Sequence, residues 1–160
     1  MLHPLKIFAV VCLIASRVSA AEWVSTNGDF AVPEPDAVRF TQIEAPPPLA
    51  AMWVSSEGTI TLGIWQTPVP AGVKLDRSAL EEGAAEELKG KIVDSSVLQK
   101  EGYEVYLMTV QGEALGNEVY LSQAIVTVGD TVYKVMASGH GTDVRKDADA
   151  MRYVSSFKIL

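Results

Sequence analysis

The sequence predicts an α+β fold, in which an antiparallel β-sheet is combined with one mid-chain helix and one C-terminal helix. From Trp23 onward the chain reads mostly as strands, and the period of two that is typical of strands is clearest at 59–64. Compact turns at Gly116-Asn117 and Gly129-Asp130 connect long strands, and such turns join antiparallel neighbours. Strands and helices do not alternate along the chain, so a parallel sheet is not expected.

The first twenty residues have the features of a secretory signal peptide. Lys6 precedes an apolar run of about ten residues, and small residues then predict cleavage after Ala20. The predicted organisation is a signal peptide at 1–20 and a single domain at 21–160, in the periplasm or secreted. Arg17 interrupts the apolar character close to the cleavage site. An uncleaved N-terminal anchor is therefore the alternative.

Composition excludes several kinds of chemistry. Cys12 leaves with the signal peptide, so the remaining chain has no cysteine for disulfides, thiolate catalysis or zinc–thiolate sites. Removal of the two basic residues in 1–20 changes the formal net charge from −7 to −9. Nucleic acid and anionic lipid surfaces repel such a protein, so neither is an expected partner, and stable membrane insertion after cleavage is not expected either.

The first half reads as short strands. The stretch GDFAVPEP (28–35) predicts an edge strand because prolines follow it, and AVRFTQI (37–43) predicts a second strand. The stretch 50–67 predicts a hairpin with its turn at 55–58. In its second strand, isoleucines and a leucine fall on one face, at Ile60, Leu62 and Ile64.

A helix follows within LDRSALEEGAAEELKGKI (75–92). Asp76 or Ser78 can cap its first turn, and apolar residues recur every fourth position, at Leu80, Ala84 and Leu88. This spacing predicts one narrow apolar stripe facing the sheet.

The second half contains three long strands, at 102–112, 117–128 and 131–139, with a shorter strand at 92–99. Bulky apolar residues occur at both odd and even positions, which predicts that both faces of the sheet are covered. A closing helix is predicted from about Asp143 to Ser155.

The cap of that closing helix is assigned to Thr142 or Asp143. Asp147 and Asp149 are assigned to its solvated side, where surface ion pairs with nearby arginines form.

The order of these elements resembles the Mog1/PsbP-like fold. The residues that carry the likeness are the opening GDFAVPEP strand, the hairpin, the mid-chain helix, the three-strand meander and the closing MRYVSSFKI (151–159). The likeness covers about residues 22–159. Members of that group act as assembly factors, partner-binding proteins or lipoproteins, and many are small exported bacterial proteins of unknown function. The resemblance therefore implies a binding role and carries over no catalytic residue.

Residues 139–149 contain the most reactive-looking constellation, His140 between two glycines followed by three aspartates. A dinucleotide loop is excluded because Val144 replaces the final small residue and too little chain follows for a second strand. After Ala20 the chain has one histidine and no cysteine, which makes no metal site, and the aspartate spacing is not that of a calcium loop. A hydrolase triad lacks its nucleophile elbow. His140 is therefore interpreted as a surface turn residue, and no catalytic residue, cofactor or metal ligand is predicted.

The tryptophans offer a second candidate surface. Trp23, Trp53 and Trp65 could stack on a sugar or peptide, but the core interpretation is favoured. Trp65 is predicted on the face opposite Ile60 and becomes the best contact candidate if it is exposed.

The sequence thus predicts an exported, monomeric, non-enzymatic binding protein that acts on a protein partner, in an assembly, accessory or inhibitory role. Contact residues are assigned to Trp65, His140 and Trp53. A small-ligand or lipid-binding module, with its pocket between hairpin and sheet, is the first alternative. An enzyme centred on His140 is the second.

Overall fold

The computed structural model describes residues 21–69 and 75–160, and most of these residues are in antiparallel β-strands. Strand accounts for 54% and helix for 16%. The predicted α+β class, an antiparallel β-sheet with a mid-chain helix and a C-terminal helix, is therefore wrong, and the fold is β-rich. The predicted signal peptide at 1–20 lies outside the described residues.

Ten strands and two α-helices make up the described chain. The strands are β1 (Glu22–Val24), β2 (Phe30–Pro33), β3 (Phe40–Ile43), β4 (Leu49–Ser55), β5 (Ile60–Pro68), β6 (Lys91–Lys100), β7 (Tyr103–Ala114), β8 (Asn117–Val128), β9 (Thr131–His140) and β10 (Lys158–Ile159). The α-helices are α1 (Arg77–Glu87) and α2 (Ala148–Ser155), and a short 3-10 turn (Val144–Lys146) precedes α2. None of the helices in these ranges is long and apolar enough to cross a membrane.

The strands form two sheets. The larger has seven strands in the order β3-β4-β5-β9-β8-β7-β6, and the smaller has the order β1-β2-β10. Neighbouring strands of both sheets are antiparallel. The fold class prediction failed partly because β6 is a ten-residue strand where only a short one was expected.

One face of the large sheet holds the main core. Even-numbered residues of β5 and odd-numbered residues of β9 point into it, and they pack with the apolar side of α2 and with the small sheet. Phe30 of β2 stacks on Tyr133 of β9 at 4.3 Å between ring centroids and on Phe157 at 5.6 Å. These rings join the small sheet to the large one. Burial of their apolar surface and the packing of the rings both stabilise this contact.

The other face of the large sheet carries α1, over β6 and β7. Asp76, one of the two caps that the sequence offers, caps α1 by accepting a hydrogen bond from the backbone N–H of Ala79. The stripe of Leu80, Ala84 and Leu88 packs on a second, smaller apolar cluster formed mainly by β7 and β8. We call this side of the sheet the α1 face.

The C-terminal helix begins later than predicted. Asp143 caps only the 3-10 turn, and Asp147 caps α2 by accepting from the backbone N–H of Ala150 at 2.9 Å. Asp147 is not solvated as expected, because both of its carboxylate oxygens accept hydrogen bonds from the guanidinium of Arg39. Arg39 also donates to Asp149 at 3.0 Å, so these charges join the start of β3 to the start of α2.

Candidate functional site

Trp53 belongs to the core. Its side chain is 3% exposed on the face opposite α1, and its ring meets that of Tyr153 edge-on at 5.8 Å. No partner can reach Trp53 without opening the fold, so it is a packing residue and not a contact residue.

Trp65 lies on the α1 face and is half-buried. Its cross-strand neighbour on β9 is Lys134, whose Nζ lies 5.3 Å from the centroid of the Trp65 ring, within range of a cation–π interaction. The same Nζ lies 3.5 Å from a carboxylate oxygen of Glu87 at the end of α1. Lys134 therefore connects Trp65 on β5 to Glu87 at the end of α1.

His140 stands exposed at the last position of β9. Six strand residues separate it from Lys134, which corresponds to about 20 Å at roughly 3.3 Å per residue. His140 and Trp65 thus belong to opposite ends of the sheet and form no common site. Within residues 21–69 and 75–160, no three His, Cys, Asp or Glu side chains are grouped so that they could hold a metal ion.

Glycine is required on the two sides of His140 for different structural reasons. A Cβ at Gly139 would lie 2.3 Å from the backbone oxygen of Thr142, so a side chain does not fit there. Gly141 has a φ of +67°, a conformation that other residues adopt at a cost. The motif is a tight reversal between β9 and the 3-10 turn, and its glycines need no ligand to explain them.

A groove of about 280 Å³ runs between α1 and the sheet. Five residues of the helix and three of the sheet line it: Ala79, Leu80, Gly83, Ala84, Glu87, Gln123, Ile125 and Lys134. The helix wall consists mostly of small residues, and a Cβ at Gly83 would meet no atom of the described residues within 4 Å apart from its own stretch of helix backbone. We call this space the α1 groove.

Gln123 of β8 is the unusual residue of this groove. It is 1% exposed, and neither its side-chain nitrogen nor its side-chain oxygen has a hydrogen-bond partner in the described chain. Its cross-strand neighbours are Met108 and Met136, which offer no strong hydrogen-bonding group. A buried amide without partners costs roughly 1–3 kcal/mol for each unsatisfied group, so its presence needs a reason.

Sequence reasoning overlooked Gln123. The signal was present, since Val119, Leu121 and Ile125 form an apolar series on one face of β8 and Gln123 interrupts it. Alternation alone could not say that this face is covered by α1, because that depends on how the helix packs.

The outer surface of α1 is acidic. Four glutamates lie in an eleven-residue helix whose one basic residue is Arg77. Arg77 pairs with Glu81 at 2.7 Å, and Lys134 pairs with Glu87. Glu82 and Glu86 are exposed and have no ion pair within the described chain. Glu87 lines the α1 groove and the other glutamates lie on the same helix, so negative charge near the groove favours a cationic group there.

Comparisons with solved structures show similarity at low sequence identity. One match is LpqN of Mycobacterium tuberculosis, described as involved in cell envelope biogenesis, with 13% identity and a TM-score of 0.60. The alignment covers 87% of this chain and 89% of LpqN. Another is a crystal structure from Bacteroides thetaiotaomicron with 11% identity and a TM-score of 0.57, covering 87% of this chain.

These likenesses show a shared fold and nothing about activity. The chain spans 48%, about half, of the length of the Bacteroides protein. No protein-family model and no curated protein matches the sequence. The chain therefore shares a fold with LpqN and with part of the Bacteroides protein.

Proposed function

We propose that this protein is a non-enzymatic binding protein of the cell envelope, and that it binds a segment of a protein partner in the α1 groove. The observation that carries the proposal is the groove itself, which has a wall of small residues, is open at Gly83 and is bordered by acidic side chains. Such a cleft can hold one side chain of a partner while the rim attracts basic residues beside it.

Two further points support an envelope role. Residues 1–20 have the features of a signal peptide, and LpqN, which shares the fold, is described as involved in cell envelope biogenesis. The Mog1/PsbP-like resemblance points the same way, because its members bind partners or assist assembly. We keep that family assignment as part of the proposal.

The groove is preferred to the other candidate surfaces for physical reasons. The hairpin of β4 and β5 is part of the large sheet, so we propose the α1 groove as the binding surface in preference to a pocket between hairpin and sheet. Among the residues that the structure describes, His140 forms hydrogen bonds only through its backbone, and none of them involves an acid–base or nucleophilic side chain. Surface binding therefore accounts for more of the structure than catalysis does.

Site-specific photo-cross-linking in the producing cell tests the proposal. A photoreactive phenylalanine analogue at Gly83 points into the groove, and the same analogue at Glu57, exposed on the β4–β5 turn, is the matched control. We expect one discrete protein adduct from position 83, weakened by high salt because the rim charges are screened, and none from position 57. Equal adduct patterns from both positions would contradict the proposal.

A further inference from the structure

Gln123 gives the α1 groove a specific chemistry. Its side chain lies on the α1 face by the alternation of β8, lines the groove and is 1% exposed. Both its donor and its acceptor are unpaired within the described residues. A packing role would be filled better by Leu or Met, since those side chains carry no group that must be desolvated.

Few chemical groups satisfy both atoms of a primary amide at once. Another primary carboxamide places an N–H and a C=O on the same edge, so two such groups form a pair of reciprocal hydrogen bonds. A trans peptide group points its N–H and C=O in opposite directions and can satisfy only one atom. A carboxylate only accepts and an ammonium group only donates, so each leaves one atom of Gln123 unpaired.

The surroundings of Gln123 also favour a neutral group. Glu87 and the other acids of α1 disfavour a carboxylate, and the only cation lining the groove, Lys134, already faces Glu87 and the ring of Trp65. The small side chains of Ala79 and Ala84 leave room for a slender aliphatic stem. A group with an apolar stem and a neutral amide head matches this lining.

Access to Gln123 requires a modest movement. Its amide atoms are covered in this state, and Lys134 is the flexible side chain beside it, 24% exposed. The contact between Lys134 Nζ and Glu87 is long, at 3.5 Å, so it holds the lysine weakly. Binding at Gln123 therefore requires side chains of the groove lining to move, and Lys134 is the long, flexible one among them.

We propose that the α1 groove is a receptor for a primary carboxamide, the side-chain group of a glutamine or asparagine, and that Gln123 binds it through reciprocal hydrogen bonds. This deepens the proposed function, on which it rests, by naming the chemistry that the partner presents. The basic residues expected in the same partner would meet the acidic side of α1.

The test is a titration of the ¹⁵N-labelled protein with butyramide, followed by NMR. Blocked glutamine (N-acetylglutamine methylamide), N-methylbutyramide and butyrate are the comparison probes. We expect butyramide and blocked glutamine to shift the side-chain NH₂ of Gln123 and the backbone amides of Gly83 and Ala84. Because a second hydrogen bond is lost, N-methylbutyramide should bind about tenfold more weakly.

Two variants keep the result interpretable. Gln123→Met should abolish the shifts at Gly83 and Ala84, and Gly83→Leu should abolish them by filling the groove. Gln99→Met, which changes an exposed glutamine on β6, should leave them unchanged. Shifts that persist in Gln123→Met would overturn the proposal. N-methylbutyramide that binds as tightly as butyramide would also overturn it. The same holds if neither butyramide nor blocked glutamine causes any shift.

The probes also show where the amide group comes from, and together with the cross-linking experiment they test the carboxamide proposal separately from the proposed binding function. Tighter binding of blocked glutamine than of butyramide supports a partner side chain, whereas binding of butyramide alone supports the amide site and overturns the side-chain source. A cross-link from position 83 that is unaffected by Gln123→Met would refute the carboxamide and leave the binding function standing. Butyramide binding without any cross-link would support the carboxamide site and refute the proposed binding of a protein partner.

Discussion

Replacement of Gln123 by Met is the perturbation whose outcome depends most on the structure. Methionine has nearly the length of glutamine, so it preserves the packing between Met108 and Met136. It also removes two unpaired polar groups, each of which costs roughly 1–3 kcal/mol when buried. The two groups together cost roughly 2–6 kcal/mol, so after a repacking cost of up to about 1.5 kcal/mol we expect the free energy of unfolding to rise by at least about 0.5 kcal/mol.

Urea unfolding measures this gain directly. The midpoint should move to higher urea with an unchanged slope, which indicates a change in stability and not in the unfolded state. Gln99→Met is the matched control, since an exposed glutamine on β6 should change the free energy of unfolding by less than about 0.5 kcal/mol.

A loss of 1 kcal/mol or more in Gln123→Met would refute the reasoning. It would mean that the amide is already satisfied in the free protein, for example by a buried water, and is retained for stability. A gain in stability together with a loss of binding is the signature expected of a buried polar group kept for function.

Three other predictions follow from the remaining features. Asp147→Asn keeps the cap of α2 but loses the charged bonds from Arg39, and should cost about 1–2 kcal/mol in urea unfolding at pH 7. Those bonds hold the pKa of Asp147 below its usual value, so the wild-type advantage should shrink as pH falls below about 4, and a constant difference from pH 7 to pH 2 would contradict this. Gly139→Ala should cost about 1–3 kcal/mol or more by forcing a clash with the Thr142 carbonyl, and an unchanged thermal midpoint would show that the reversal can relax. His140→Ala should change neither stability beyond about 0.5 kcal/mol nor cross-linking from the groove, whereas loss of an enzymatic activity would revive the catalytic hypothesis.

The sequence was sufficient where local chemistry decides the structure. Alternation predicted a buried face for Ile60, Leu62 and Ile64, and all three are buried. The acceptor group of Asp76 predicted the start of α1, and a hydrogen bond to Ala79 confirms it. These features depend on residues a few positions apart, which a single sequence displays.

The sequence was insufficient where contacts between distant segments decide the structure. Asp147 was assigned to solvent because its neighbours on the helix suggested so, but its partner is Arg39, which is 108 positions away in sequence. The α+β class failed because β6 is a ten-residue strand and the closing helix has only eight residues. The role of Gln123 could not be predicted because its burial depends on where α1, a distant segment of the chain, packs on the sheet.

The most direct test of the account is binding of the cross-linked partner, once identified, to a protein whose groove is filled. Gly83→Leu projects a side chain into the open space of the groove and also removes a helix-destabilising glycine, so the variant should fold at least as well as the wild type. Ser78→Leu places the same side chain on an exposed part of α1 that does not line the groove. Loss of partner binding by Gly83→Leu with retention by Ser78→Leu is the result we predict, and equal binding by the two variants would contradict the assignment of the α1 groove as the binding site.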